Sequence, residues 1–97
     1  MASSYSSGLK TTDASIATGV NRVNSVELFS DGTNACSVVL YDNASAASGT
    51  VLAKVTIGAL SLKTTEQVVF TNPVRAQEGI YADVTGTGAG YIVHFGG

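Results

Sequence analysis

Charge is what this sequence has least of. Asp, Glu, Lys and Arg together make up 12% of its residues, about half the ~25% usual in soluble domains. Lys10, Arg22, Lys54, Lys63 and Arg75 stand singly, and the formal net charge is -2. With no basic run to follow a phosphate backbone, nucleic acid is not an expected partner. Cysteine occurs once, at Cys36, which excludes an intrachain disulfide and a cysteine-based zinc site. Within a predicted strand, Cys36 reads as a buried, inert thiol rather than a nucleophile. Tryptophan is absent, and Pro73 and His94 are the sole representatives of their kinds. No stretch carries the i, i+3, i+4, i+7 apolar stripe of an amphipathic helix. No apolar run approaches the ~20 residues of a membrane span, so no membrane partner is expected. The opening Met-Ala-Ser-Ser-Tyr-Ser-Ser-Gly has neither the basic start nor the apolar centre of a signal peptide. Asn43-Ala44-Ser45 matches the glycosylation pattern, and without a secretion signal it reads as a turn.

What is present is apolar residue at 44% and a wealth of serine, threonine, glycine and asparagine. That apolar share suits a globular protein. A chain of 97 residues makes one domain, burying roughly 60–65% of its unfolded surface. Neutral polar side chains in place of charges suit packing against other protein, because little charge must be desolvated on contact. They suit a soluble, low-charge β-protein equally well.

The clearest local signal is residues 26–43. Two apolar, β-prone runs flank Asp31-Gly32-Thr33-Asn34, whose residue types favour turns, and the segment predicts a β-hairpin. Its strands are expected at 22–30 and 35–42. Cys36, Val38 and Leu40 share one face of the second, and Val39 and Tyr41 the other, which predicts an inner strand covered on both sides. Residues 50–57 alternate, with Lys54 on the wet face. A further strand is expected over 63–71, closed by Asn72-Pro73, with a loop from Pro73 to Gly79. Residues 80–85 and 91–95 predict a second hairpin around Gly86-Thr-Gly-Ala-Gly90. Before Val20, serine, threonine, alanine and glycine dominate. Residues 1–19 are expected as a flexible arm, able to reach ~60 Å if extended, or as a short edge strand. Residues 20–97 are expected as the folded domain. About six to eight strands with regular turn signals imply an all-β, single-domain antiparallel β-sandwich, either jelly-roll or immunoglobulin-like.

No chemistry-bearing constellation emerges, and an enzyme is not expected. Gly86–Gly90 resembles a phosphate loop in composition, but a strand rather than a helix follows it. His94 has no recognisable triad or metal partners. Asp31, Asp42 and Asp83 lack a calcium-motif spacing, and Asp31 and Asp42 read as turn caps. Glu27 and Glu66 would serve a glycosidase only if they faced one cleft. Tyr5, Tyr41, Tyr81 and Tyr91, with Phe29, Phe70 and Phe95, suit core or interface roles. No catalytic, cofactor-binding or metal-binding residue is assigned, and no cofactor is expected.

Three segments carry a resemblance: Ser-Val-Glu-Leu-Phe-Ser-Asp-Gly from Ser25, the run from Val38 through Tyr-Asp-Asn-Ala-Ser-Ala-Ala-Ser-Gly to Lys54, and Gly-Ile-Tyr-Ala-Asp-Val-Thr-Gly-Thr-Gly-Ala-Gly-Tyr-Ile-Val from Gly79. In these the chain resembles small virion proteins of tailed bacteriophages, specifically capsid decoration (cement) proteins. The shared features are strand and turn signatures, so the resemblance transfers no functional residue. It implies a structural protein on the virion capsid surface, with the major capsid protein as partner and a homotrimer as its assembly. Residues 1–20 and the strand-end loops are then the expected capsid contacts. A phage tail or fibre component and a carbohydrate-binding module are the rival readings.

Overall fold

The computed structural model describes residues 4–96. Eight strands follow in chain order: β1 (Tyr5–Ser6), β2 (Ala14–Thr18), β3 (Asn21–Phe29), β4 (Cys36–Tyr41), β5 (Val51–Ile57), β6 (Thr65–Ala76), β7 (Gly79–Thr85) and β8 (Gly90–Gly96). They form two four-stranded sheets, β1-β8-β3-β6 and β2-β7-β4-β5. Pairing is antiparallel throughout. Among the described residues there is no helix. The molecule is the expected all-β sandwich, and its strand order is that of an eight-stranded jelly roll rather than an immunoglobulin-like fold.

Alternation builds the core. Val23, Val26 and Leu28 of β3 and Tyr91 and Val93 of β8 point inward from one sheet; Val38 and Leu40 of β4 and Ile80 and Ala82 of β7 meet them from the other. Each aliphatic side chain buried this fully contributes about 1.5–3 kcal/mol. The inner position expected for β4 holds, since it pairs with both β5 and β7. Its outward residues Val39 and Tyr41 are half-buried rather than covered.

The two expected hairpins do not form. β3 pairs with β6 and β8, whereas β4 pairs with β5 and β7, so residues 30–35 step from one sheet to the other. Likewise β7 and β8 lie in different sheets, and Gly86–Gly90 crosses between them. Alternation places a side chain on a face but does not choose the strand's partner. Sheets ~10 Å apart are spanned by a few residues, so a loop that can close a hairpin can also cross. Only β4 and β5 are neighbours in both sequence and sheet.

Two further expectations are corrected. The strand expected to stop before Pro73 continues to Ala76, and Arg75 pairs with Arg22. Pro73 is tolerated because β6 is an edge strand with an irregularity between its Val69 and Val74 pairings. Of the two expectations for residues 1–19, flexible arm or edge strand, the second fits from Tyr5 onward: two edge strands make this stretch largely part of the sandwich. β1 pairs with β8, and β2 pairs with β7. Between them, Lys10 exchanges two backbone hydrogen bonds with Tyr91, both 2.9 Å. Both strands are sheet edges with exposed faces, so hydroxyl-bearing residues serve where apolar alternation would be needed inside. The remainder of the arm, residues 1–3, lies outside the described residues.

Strand direction sorts the loops to two ends. Loops 19–20, 42–50 and 77–78 share one, termed the braced end. Loops 7–13, 30–35, 58–64 and 86–89 share the other, termed the leucine end.

Candidate functional site

The leucine end owes its shape to one turn. Asp31 Oδ1 accepts hydrogen bonds from the backbone N–H groups of Thr33 and Asn34, both 2.9 Å, and Oδ2 accepts the Asn34 side-chain amide at 2.8 Å. The Asn34 and Thr33 amides, seconded by the Asn34 side chain, hold the Asp31 carboxyl below its ordinary range. Asp31 is thus a turn cap. Gly88 lies directly against it, where any Cβ would come within 2.7 Å of Oδ2. On the other side, the Leu60 N–H donates to Thr33 O at 3.1 Å, and Ser30 N–H donates to Thr64 O at 2.8 Å. The 30–35 turn therefore carries both neighbouring loops.

The 58–64 loop presents apolar side chains to solvent. Leu60 adopts a left-handed φ of 55° and is 76% exposed; Leu62 is 104% exposed. Left-handed backbone costs a Cβ-bearing residue about 1–2 kcal/mol, so this loop is held in an unfavourable shape with its leucines outward. Beside it, Leu9, Thr11, Phe29, Gly88, Ala89, Gly90 and Ile92 line an open, largely apolar groove of about 300 Å3. Leu9, itself 65% exposed, overhangs Gly90. The loop carrying Leu9 is fixed from beneath by the Tyr91 hydroxyl, which donates to Thr12 O at 2.6 Å. Burial, then the charge of Asp13 and Tyr81, pushes that phenol up to about 12.

Near this end Asp13 accepts the Val84 N–H at 2.8 Å. Partial burial, together with the adjacent Asp13 carboxylate, raises the pKa of Asp83. At the braced end the relation is reversed. Asp42 accepts from the backbone N–H groups of Glu78 at 2.8 Å, Gln77 at 3.0 Å and Gly79 at 3.3 Å, and these amides hold its carboxyl low. Asp42 thus caps a turn 35 residues away.

The remaining candidates are dispersed. Glu27 pairs with Gln67, and Glu66 with Leu28, so the two glutamates project from opposite faces of their sheet. They cannot share a cleft as a glycosidase pair must. His94 Nδ1 lies 3.0 Å from Ser25 Oγ across β8 and β3. Ser25 is only 8% exposed, and neither residue lines the groove. Cys36 is buried, and burial, then the charge of Asp31, pushes its thiol up, away from nucleophilic reactivity. Gly86–Gly90 is an inter-sheet crossing with no helix after it. Among the described residues no three His, Cys, Asp or Glu side chains come together as a metal site.

Sequence inspection missed two juxtapositions. Arg22 and Arg75 are directly opposed across β3 and β6, and Tyr41 and Tyr81 across β4 and β7. Neither is visible in sequence, because the pairing is long-range. No protein-family model, curated protein or solved structure matches the chain.

Proposed function

We propose that the protein is a structural virion component that decorates the outer capsid surface and stabilises the head by bridging major capsid subunits. The observation that carries this reading is the leucine end, a hydrogen-bonded platform from which Leu9, Leu60 and Leu62 project. A hydrogen-bonded platform that is apolar at its tips suits contact with protein. Its resemblance to phage decoration proteins supplies the context. A protein that binds only the assembled shell stabilises that shell by mass action. With β1 and β2 belonging to the sandwich, the strand-end loops take over the contact role expected of the arm. Copy number on purified particles tests the reading. About as many copies as major capsid subunits supports it; a few copies at the tail supports the fibre alternative; absence from virions overturns both.

The opposed Tyr41 and Tyr81, with Asp83 further along β7, favour a second reading as a carbohydrate-binding module. Glycan-array binding that Tyr81→Ala abolishes supports it, and an array without signal removes it.

A further inference from the structure

We infer that the outer face of the β1-β8-β3-β6 sheet is a self-association surface, on which a second copy packs about a two-fold axis with its strands reversed. Alternation fixes what this face carries. Val23, Val26 and Leu28 point into the core, so Arg22, Ser25, Glu27 and Phe29 of β3 point outward. Their cross-strand partners share the face. These are Arg75, Val69 and Gln67 on β6, and His94 and Ile92 on β8. The groove edged by Leu9, Phe29 and Ile92 opens on the same side.

Three features of the face lack a counterpart within the chain. Arg22 and Arg75 are like charges directly opposed, an unfavourable pair. Glu27 lies between Ile92 and Gln67, neither of which can neutralise it. Among the described residues, neither arginine nor Glu27 makes an ion pair. Val69 is 67% exposed in mid-strand.

Their spacing identifies the occupant. Arg22 and Glu27 flank Asn24–Ser25 on β3, each two residues away, or ~7 Å. A two-fold axis lying in the face and crossing the strands there sets β3 over β3 and β6 over β6 of the other copy. Arg22 of each copy then meets Glu27 of the other, with Arg75 beside it over Gln67. Val69 meets its own counterpart near the axis, because it pairs with Ser25. Such exchange of i with j is what a two-fold contact requires. Strands running in the same direction would instead set arginines on arginines, so charge selects the reversed copy.

The flanks agree with this arrangement. Val20 precedes Arg22 by two residues and is 56% exposed; Phe29, a wall of the groove, follows Glu27 by two. The reversed copy therefore brings an exposed valine to an apolar groove. Gly96, opposite Arg22 on β8, comes over Ile92 and leaves it room for want of a side chain. Arginine also suits the contact, since its weakly hydrated, planar fork matches a carboxylate better than lysine does. The face is used up by one partner, so association closes at two copies. Leu60 and Leu62 lie on the loop end, outside this contact, which leaves them free for the capsid role.

Sedimentation equilibrium of the full chain over a concentration series tests this. Wild type is expected to pass from monomer to dimer, without larger species. Glu27→Arg alone, and Arg22→Glu with Arg75→Glu in one chain, are each expected to raise the dissociation constant roughly tenfold or more, because like charges then meet across the axis. An equimolar mixture of the two variants is expected to recover dimer. One side of that contact pairs the introduced arginine with the introduced glutamates, and the other side is native. Val69→Lys is expected to weaken the dimer as well. Val69 is exposed, so V69K reads the contact even if a charge variant fails to fold. A wild-type chain still monomeric at about 1 mM overturns the inference. So does a V69K or E27R chain that dimerises as wild type does, or a mixture of folded charge variants that stays monomeric. If wild type is monomeric but V69K lowers occupancy on particles, the face meets another protein, and self-association is overturned while the decoration role stands.

Discussion

The two ends of the sandwich are built from similar short loops and are put to different uses. At the braced end, one carboxylate, Asp42, gathers the amides of residues 77–79 and ties two loops together. Asn43 repeats the device locally, accepting from Ser45 N–H at 2.9 Å and Ala46 N–H at 3.0 Å, while its amide donates to Ser48. Polar groups there find partners within the chain. At the leucine end, Asp31 satisfies the backbone in the same manner, but the loops it supports point leucines at solvent. The contrast separates internal bracing from outward presentation on one small scaffold.

The largest expected effect tests how rigid the leucine end is. Gly86 has a φ of 118°, and a Cβ there would overlap the Ala35 carbonyl oxygen and come within 2.8 Å of the Cys36 Cα. These obstacles include backbone and cannot swing aside. Gly86→Ala is expected to cost roughly 3 kcal/mol in urea unfolding. A loss below about 1 kcal/mol would mean that the platform yields easily.

Asp42→Ala comes next and addresses the braced end. It removes charge-assisted bonds to exposed amides that water can then satisfy, so the expected loss at neutral pH is about 1 kcal/mol after solvent screening. The folded-state pKa is lowered. The contribution is therefore present above the unfolded value of about 4 and lost as pH falls through the folded value. Urea midpoints of variant and wild type should differ at neutral pH and converge as pH falls into the acid range. A difference that persists in acid would assign the effect to packing rather than to the carboxylate.

The smallest effect has the opposite sign. Partial burial, with Asp13 beside it, raises the folded pKa of Asp83. The folded state then holds that proton more tightly than the unfolded state does. Its ionisation cost is absent below pH ~4 and grows as pH rises through the folded value. Asp83→Asn is expected to stabilise the protein by about 0.5 kcal/mol at neutral pH and by nothing in acid. Thermal unfolding at neutral and acid pH measures it, and a neutral-pH loss would show that the carboxylate is used rather than strained.

Strand positions were legible in the sequence where a strand buries one face. β3, β4, β5, β7 and β8 lie within a residue or so of their expected limits, because alternation reports burial directly. β1 and β2 were legible only as the alternative of one short edge strand within residues 1–19, since their exposed edges impose no apolar period. The partners of the strands were not legible at all. Turn chemistry at Asp31 and Asp42 was read correctly as capping, but the reach of Asp42 to residues 77–79 depends on the fold. The groove was equally hidden, because Leu9, Phe29 and Ile92 converge from three separate segments. The leucines of loop 58–64 did offer a signal: two large apolar residues between the strands expected at 50–57 and 63–71, where burial does not account for them.

The repeated crossing between sheets also bears on how fast the chain reaches its native state. Only β4 and β5 can pair across a short loop. Every other ladder must first close a long stretch of chain, and that entropy is lost before the contacts repay it. Topologies with such high contact order fold in milliseconds to seconds, against microseconds for helical bundles. The ladder of greatest sequence separation, β1 on β8, joins residues 5–6 to residues 94–95. The sheet that carries the groove therefore gains its β1 edge only once residues 94–95 are in place.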